Sequence, residues 1–180
     1  MSRPESAGPE PVARAPAGVR IRPAAPGDAR GWIEHVARVA EERRYIRTEV
    51  VRWSTRDMRR RFRRSWSQAR AYLVADTDGG VIGTLGIERE GNPVLHHVAS
   101  LGMSVDEKWR GRGIGAALLS EAFRWARWAG VEKLALTVYP HNQRAINLYK
   151  KFGFVEEGRL AGHSKKSYGY EDEIVMGRWL

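Results

Sequence analysis

The sequence predicts a mixed α/β domain of about seven strands and about four helices. Three observations carry that prediction. Apolar runs of strand length alternate with longer stretches whose apolar residues recur every three or four positions. Turn and stop signals rich in glycine separate them. The length, 180 residues, suffices for one well-buried domain. The order along the chain reads β-α-α-β-β-β-α-β-α-β-β.

Residues 1–18 hold Pro4, Pro9, Pro11 and Pro16 among Ala, Gly and Glu, the composition of a disordered tail ahead of a domain over residues 19–180. Residues 19–23 form a short first strand. Asp28 can cap a helix whose apolar stripe is Trp32, Val36, Val39 and Ala40. Residues 55–70 read as a second helix with Met58, Phe62, Trp66 and Ala69 on one face. Residues 71–75 and 81–88 flank Asp76-Thr77-Asp78-Gly79-Gly80, which marks a hairpin. A long strand follows over 94–105, then a helix over 113–129 stopped by Gly130. Strand 133–139, helix 142–152 and strands 154–157 and 173–179 close the sheet.

The net charge of +10 comes mostly from arginine, since only six of the 31 basic residues are lysine. A basic surface favours anionic partners such as coenzyme phosphates, acidic substrates or nucleic acid. The densest stretch is 43–70, where eleven arginines interleave with Trp53, Phe62 and Trp66. Nucleic-acid or ribosome contact is one reading. The favoured one is an amphipathic helix, because Met58, Phe62 and Trp66 recur every four residues as a core-facing stripe does. The chain has no cysteine, which excludes disulfides, thiolate metal sites and an acyl-cysteine intermediate, and fits the reducing cytosol. No apolar run nears the ~20 residues that span a membrane, and the N-terminus shows no signal-peptide core. A cytoplasmic protein is the expectation.

The most informative stretch is Arg110-Gly111-Arg112-Gly113-Ile114-Gly115-Ala116. It opens a helix, where the first N–H groups have no intrahelical partner. Glycines there let a ligand approach the backbone, and the dipole and two arginines suit a phosphate or pyrophosphate. Gly111, Gly113 and Ala116 also fit a degenerate dinucleotide fingerprint. Against that reading, four residues separate the glycines from the preceding strand, and the acidic residue some twenty positions on, Glu132, precedes its strand. No Gly-Lys-Ser/Thr follows, so this is not a triphosphate P-loop.

A second segment decides between these readings. After strand 133–139 come Pro140, His141 and Asn142, then Asn142-x-x-Ala145-x-x-x-Tyr149-x-x-x-Gly153-Phe154. With Arg110-x-x-Gly113-x-Gly115 before it, the chain resembles the GNAT family of acetyl-CoA-dependent N-acetyltransferases, in its bacterial branch named for ribosomal-protein and amino-acid acetylation. The resemblance spans residues 19–180, with its specific signal in 101–154. It implies splayed central strands that hold acetyl-CoA as cosubstrate, with no metal. Backbone groups of Met103, Ser104 and Val105 would hold the acetyl and pantetheine amides. Arg110, Gly111, Arg112, Gly113, Ile114, Gly115 and Ala116 would take the pyrophosphate, and Asn142, Ala145 and Tyr149 would complete the cofactor site. Tyr149 would be the general acid, since an ordinary phenol is protonated at neutral pH.

The resemblance departs at the base. Family members often carry a Glu on the strand entering the glycine loop, whereas this chain has Ala99 and Ser100 there. His97 shares strand parity with Met103 and titrates in the right range, so it is the candidate base. His96, a water relay and the acidic cluster Glu171, Asp172 and Glu173 are the alternatives. The expected activity is direct acetyl transfer to a primary amine, of a small molecule or of a protein N-terminus or lysine, without a membrane partner. A homodimer is compatible with this reading. The alternative is a catalytically weak acyl-CoA-binding or RNA- or ribosome-associated module of the same fold.

Overall fold

The computed structural model describes residues 11–180, so the first ten residues of the expected tail lie outside the described part. Residues 11–18 carry no regular structure, yet Ala13 N–H donates to Ser120 Oγ at 2.9 Å. The elements are β1 (Arg20–Pro23), α1 (Ala29–Glu41), α2 (Thr55–Phe62), β2 (Trp66–Ser67), β3 (Arg70–Thr77), β4 (Gly80–Arg89), β5 (Val98–Val105), α3 (Ile114–Trp128), β6 (Lys133–Val138), α4 (Gln143–Lys151), β7 (Val155–Lys166) and β8 (Gly169–Trp179). They build one sheet in the order β1-β3-β4-β5-β6-β8-β7, with β2 added against β3.

Every neighbouring pair runs antiparallel except β5 and β6. That parallel pair is joined through α3, as a crossover requires. The period of two along β3 sorts its side chains onto two faces. Ala71, Leu73 and Ala75 join the core under α3 and α4. Tyr72 and Val74 pack with Trp32 and Val36 of α1 and Met58 and Phe62 of α2 on the other face. α3 turns Arg124, Arg127 and Trp128 to solvent and buries eight of its fifteen residues, with Leu118, Leu119, Phe123 and Trp125 at zero exposure. Each such side chain contributes about 1.5–3 kcal/mol by leaving water. Gly130 at φ +68° ends α3, as expected, and Val131 N–H reaches back to Ala126 O at 2.8 Å.

Three elements differ from the sequence reading. The second helix stops at Phe62 instead of running to residue 70. Met58 and Phe62 belong to the core on one face of the sheet, while Trp66 packs against the core on the other, so one straight helix could not bury all three. The long strand begins at Val98, because Asn92 caps a 3-10 turn at Pro93–Leu95 and His96 and His97 continue that turn. The closing strands are far longer than expected. β7 is exposed over most of its length, so it shows no apolar alternation to read.

Candidate functional site

The sheet opens in its middle. β5 and β6 pair only over Val98–Ser100 and Lys133–Ala135. Beyond Ser100 the two strands part, leaving the backbone of residues 101–105 unpaired on that side. A cavity of about 1040 Å³ occupies the gap and extends onto the face covered by α1 and α2. Met103, Ser104 and Val105 line it, as do Gly111, Gly113, Ile114, Gly115 and Ala116 at the start of α3.

Gly113 is the N-cap of α3 and lies in the left-handed region at φ +85°. Gly111 is at φ +77°. A Cβ added at either would meet nothing within 4 Å, so both glycines edge open space. The first intrahelical bond is Ala117 N–H to Gly113 O at 3.0 Å, and the N–H groups before it face the cavity end. Gly115 serves packing instead. Its missing Cβ would stand 3.0 Å from Leu148 Cδ2 of α4, which holds the two helices close beside the gap. This cradle of positive-φ glycines, free helix N–H groups and an unpaired strand edge suits an extended ligand with an anionic end.

α4 forms the far wall. Asn142 caps it, its Oδ1 accepting from Ala145 N–H at 3.3 Å, and both residues line the cavity. Tyr149 is 5% exposed and packs edge-on to Phe154 at 5.7 Å. Its hydroxyl has no hydrogen-bond partner among the described residues, and the residue borders the cavity. Burial pushes the phenol well above the usual tyrosine range, so it stays protonated and able to donate.

The face under α1 and α2 adds groups that the sequence reading missed. His35 has zero exposure. Its Nε2 lies 2.8 Å from Ser104 Oγ, and Nδ1 lies 2.7 Å from Asp106 Oδ1, off hydrogen-bond alignment. Burial would raise Asp106, but His35 and Arg38 outweigh it and hold the carboxyl below its usual range. A histidine on the apolar stripe of α1 was the available signal. Glu88 of β4 also lines the cavity and accepts from the Tyr72 hydroxyl, which itself accepts from Arg61 Nη1 at 3.1 Å. Its signal was parity, because Thr84 and Glu88 share one face of a strand that is otherwise apolar up to Arg89.

The structure sets the expected base apart from the cavity. His97 stacks on Trp179 with ring centroids 5.8 Å apart and does not line the cavity. It sits in the turn before β5, six residues from Met103 and roughly 20 Å away along the strand. The parity argument failed because the strand starts after it. His96 shares that turn and lies on the exposed surface. Glu171 accepts from the Tyr168 hydroxyl and lies 3.8 Å from His141 of the cavity wall, and Asp172 pairs with Arg159; neither carboxylate lines the cavity. Glu173 does reach the cavity. Burial would raise it, but Arg47, Ser164 and Thr137 outweigh that and hold it at about 2.

The two loop arginines are placed differently from the expectation. Arg110 donates to Val105 O at 2.9 Å and forms a two-pronged pair with Glu42 at the end of α1. It borders the cavity but is consumed in bracing the loop. Arg112 lies over the Trp109 ring at 5.0 Å and does not border the cavity. Among the described residues, no helix is long and apolar enough to cross a membrane, and no three His, Asp or Glu groups gather as metal ligands.

The acetyltransferase (GNAT) family model matches residues 33–154. An L-amino acid N-acetyltransferase of Escherichia coli strain K12 is 38% identical over 107 residues, covering 59% of this chain and 66% of that relative. The chain thus spans about two thirds of that relative, and 50% of a mycothiol acetyltransferase of Salinispora arenicola to which it is 34% identical. The crystal structure of a GNAT acetyltransferase from Streptococcus pneumoniae superposes with a TM-score of 0.84 at 28% identity, covering 90% of this chain and 99% of the other. A Salmonella typhimurium acetyltransferase solved with acetyl-CoA has a TM-score of 0.81 at 19% identity, covering 91% and 95%, a likeness of fold.

Proposed function

The chain belongs to the GNAT family of acetyl-CoA-dependent N-acetyltransferases, and from that premise we propose that it passes the acetyl group directly to the amine of an acceptor held in the same cavity. One observation carries the proposal. The unpaired edge of β5, the free N-terminus of α3 and the Tyr149 phenol all border one continuous cavity.

In this reading acetyl-CoA supplies an activated acetyl group as a thioester. The glycine loop and the first turn of α3 take its pyrophosphate through backbone N–H groups, with Gly113 leaving the approach clear. The backbone of Met103, Ser104 and Val105 holds the amide-bearing arm as an added strand would. An N–H on this edge polarises the acetyl carbonyl, an effect of roughly 2.7–4 kcal/mol in comparable oxyanion sites. Tyr149 gives its proton to the departing sulfur. Asn142 both caps α4 and faces the ligand. Arg110 and Arg112 act by shaping the loop. The chain has no cysteine, so the acetyl group cannot rest on a thiol between donor and acceptor.

The test is a thermal-shift comparison of acetyl-CoA, NAD and RNA, followed by an acceptor-amine panel read by thiol release. Selective stabilisation by acetyl-CoA is expected, because a ligand that binds only the folded state stabilises it by mass action. Amine-dependent thiol release is expected with at least one acceptor class. Binding without release from any amine would leave an acyl-CoA-binding module, and stabilisation by NAD alone would refute the loop assignment.

A further inference from the structure

β4 and β5 pair in the register Thr84↔Ser104, Gly86↔Gly102 and Glu88↔Ser100. These six residues share the face toward α1 and α2, since strand side chains alternate with a period of two. The two glycines lie opposite each other in mid-strand, and neither has a positive φ that would require glycine. A Cβ at Gly102 would meet nothing within 4 Å. The floor is therefore bare over Gly102, whereas a Cβ at Gly86 would lie 3.6 Å from the Tyr72 ring, and Trp32, Met58 and Tyr72 line the same cavity. This floor adjoins the point beyond Ser100 where β5 leaves β6.

Among the described residues, Glu88 and Glu173 are the carboxylates that line this cavity. Glu173 is spent. Arg47 bonds both of its oxygens and Ser164 shares one. Glu88 is held by one oxygen only. Oε1 accepts from Tyr72 and lies 3.7 Å from Arg61 Nη1 and 3.9 Å from Arg70 Nη1. Oε2 has no hydrogen bond among the described residues. Tyr72 is raised above the usual tyrosine range, by burial first and by Glu88 second, so its phenol remains the donor that fixes Oε1.

We propose that Glu88, reaching from β4, supplies the acceptor-side carboxylate that β5 lacks at Ser100, binding the acceptor amine over the Gly86–Gly102 strip and taking its proton. A diagonal cross-strand neighbour is ~7–8 Å away, within reach of a glutamate that passes over a residue without a side chain. The amine enters neutral and donates one N–H to Oε2, which aims its lone pair at the acetyl carbonyl carbon. The C–N bond forms and the C–S bond breaks. Nitrogen loses one proton to Glu88, and sulfur gains one from Tyr149. Cavity water then returns the proton from Glu88 to Tyr149, so the cycle closes. Tyr72 is a positioning residue and Glu88 a catalytic one.

The inference rests on the acetyltransferase reading, and its test separates the two. Glu88→Gln keeps the size of the side chain and its contact with Tyr72. With an acceptor found in the panel, kcat should fall about 10²–10³-fold, in the range of a lost general base. Acetyl-CoA affinity by calorimetry should stay within about twofold of wild type. Acceptor affinity, titrated calorimetrically into the complex with CoA, should weaken about 10-fold or more, as loss of a charge-assisted hydrogen bond implies. Gly102→Val should raise the acceptor KM and spare acetyl-CoA affinity. A folded Glu88→Gln variant with kcat within about threefold of wild type would overturn the inference, as would equal losses in kcat and acetyl-CoA affinity. Failure of the wild-type chain to acetylate any amine would instead overturn the reading beneath it.

Discussion

Gly113 offers a sharp test of the glycine loop, because backbone strain and charge can be separated there. At φ +85° and ψ −5° any L-residue occupies a left-handed conformation, which costs about 1–2 kcal/mol. No steric cost adds to it, since a Cβ would meet nothing within 4 Å. Gly113→Asp should fold with the smaller loss, since Asp tolerates this region and can cap a helix start, and Gly113→Ala should fold with the full strain. In a domain of 180 residues that is a Tm drop of about 2–8 °C. Affinity should separate them. Two unit charges about 5 Å apart at an effective dielectric of ~20 repel by about 3 kcal/mol, on the order of 100-fold in binding. The Ala variant carries no such charge and should lose no more than about 10-fold, an order of magnitude set by 1.4 kcal/mol. Calorimetric titration of CoA into the three proteins gives both numbers alongside their melting curves. A folded Gly113→Asp variant that binds CoA as the wild type does would remove the pyrophosphate from this loop. Equal losses in Ala and Asp would show that backbone approach matters there and charge does not.

Tyr149→Phe keeps the ring against Phe154 and removes the proton, so kcat should fall about 10²–10⁴-fold with acetyl-CoA affinity unchanged; near wild-type single-turnover rates would exclude Tyr149 as the acid. The Glu173 carboxyl is held at about 2 against an ordinary 4.5, so its contribution to stability is complete above pH ~4.5 and is lost as pH falls toward about 2. Urea unfolding at pH 3 and pH 6 should show a smaller difference in Glu173→Gln than in wild type, and an unchanged difference would show that the Arg47 pair is not felt in the folded state. His35→Leu strips Ser104 and Asp106 of their buried partner and should cost about 1–3 kcal/mol in urea unfolding. A change under about 0.5 kcal/mol would mean that Arg38 alone satisfies Asp106.

The features legible in the sequence were those whose causes are local. Glycine at 113 and 130 is required by backbone angles at those residues. Asn142 caps α4 by bonding an N–H three residues on, and the apolar stripe of α1 follows the helical period. Spacing within one segment placed Tyr149 on the helix beside the gap. The exposed strand β7 was illegible for the complementary reason, since an edge strand open to solvent on both faces needs no pattern.

Cross-strand and cross-layer proximity came only with the tertiary structure. Glu88 stands opposite Ser100 because β4 and β5 pair in one register, and a slip of one residue would have turned its carboxylate to the other face of the sheet. His35 meets Ser104 and Asp106 across some seventy residues, and Arg110 leaves the ligand loop for Glu42 across as many. His97 went the other way, stranded by a proline turn that set where β5 begins. The glycine loop and the starts of α3 and α4 were legible in the sequence, because each depends on interactions within a few residues. The packing of α1 and α2 onto the sheet brought together the groups over that face, because the free energy that selects those neighbours is summed over the whole core and appears in no single segment.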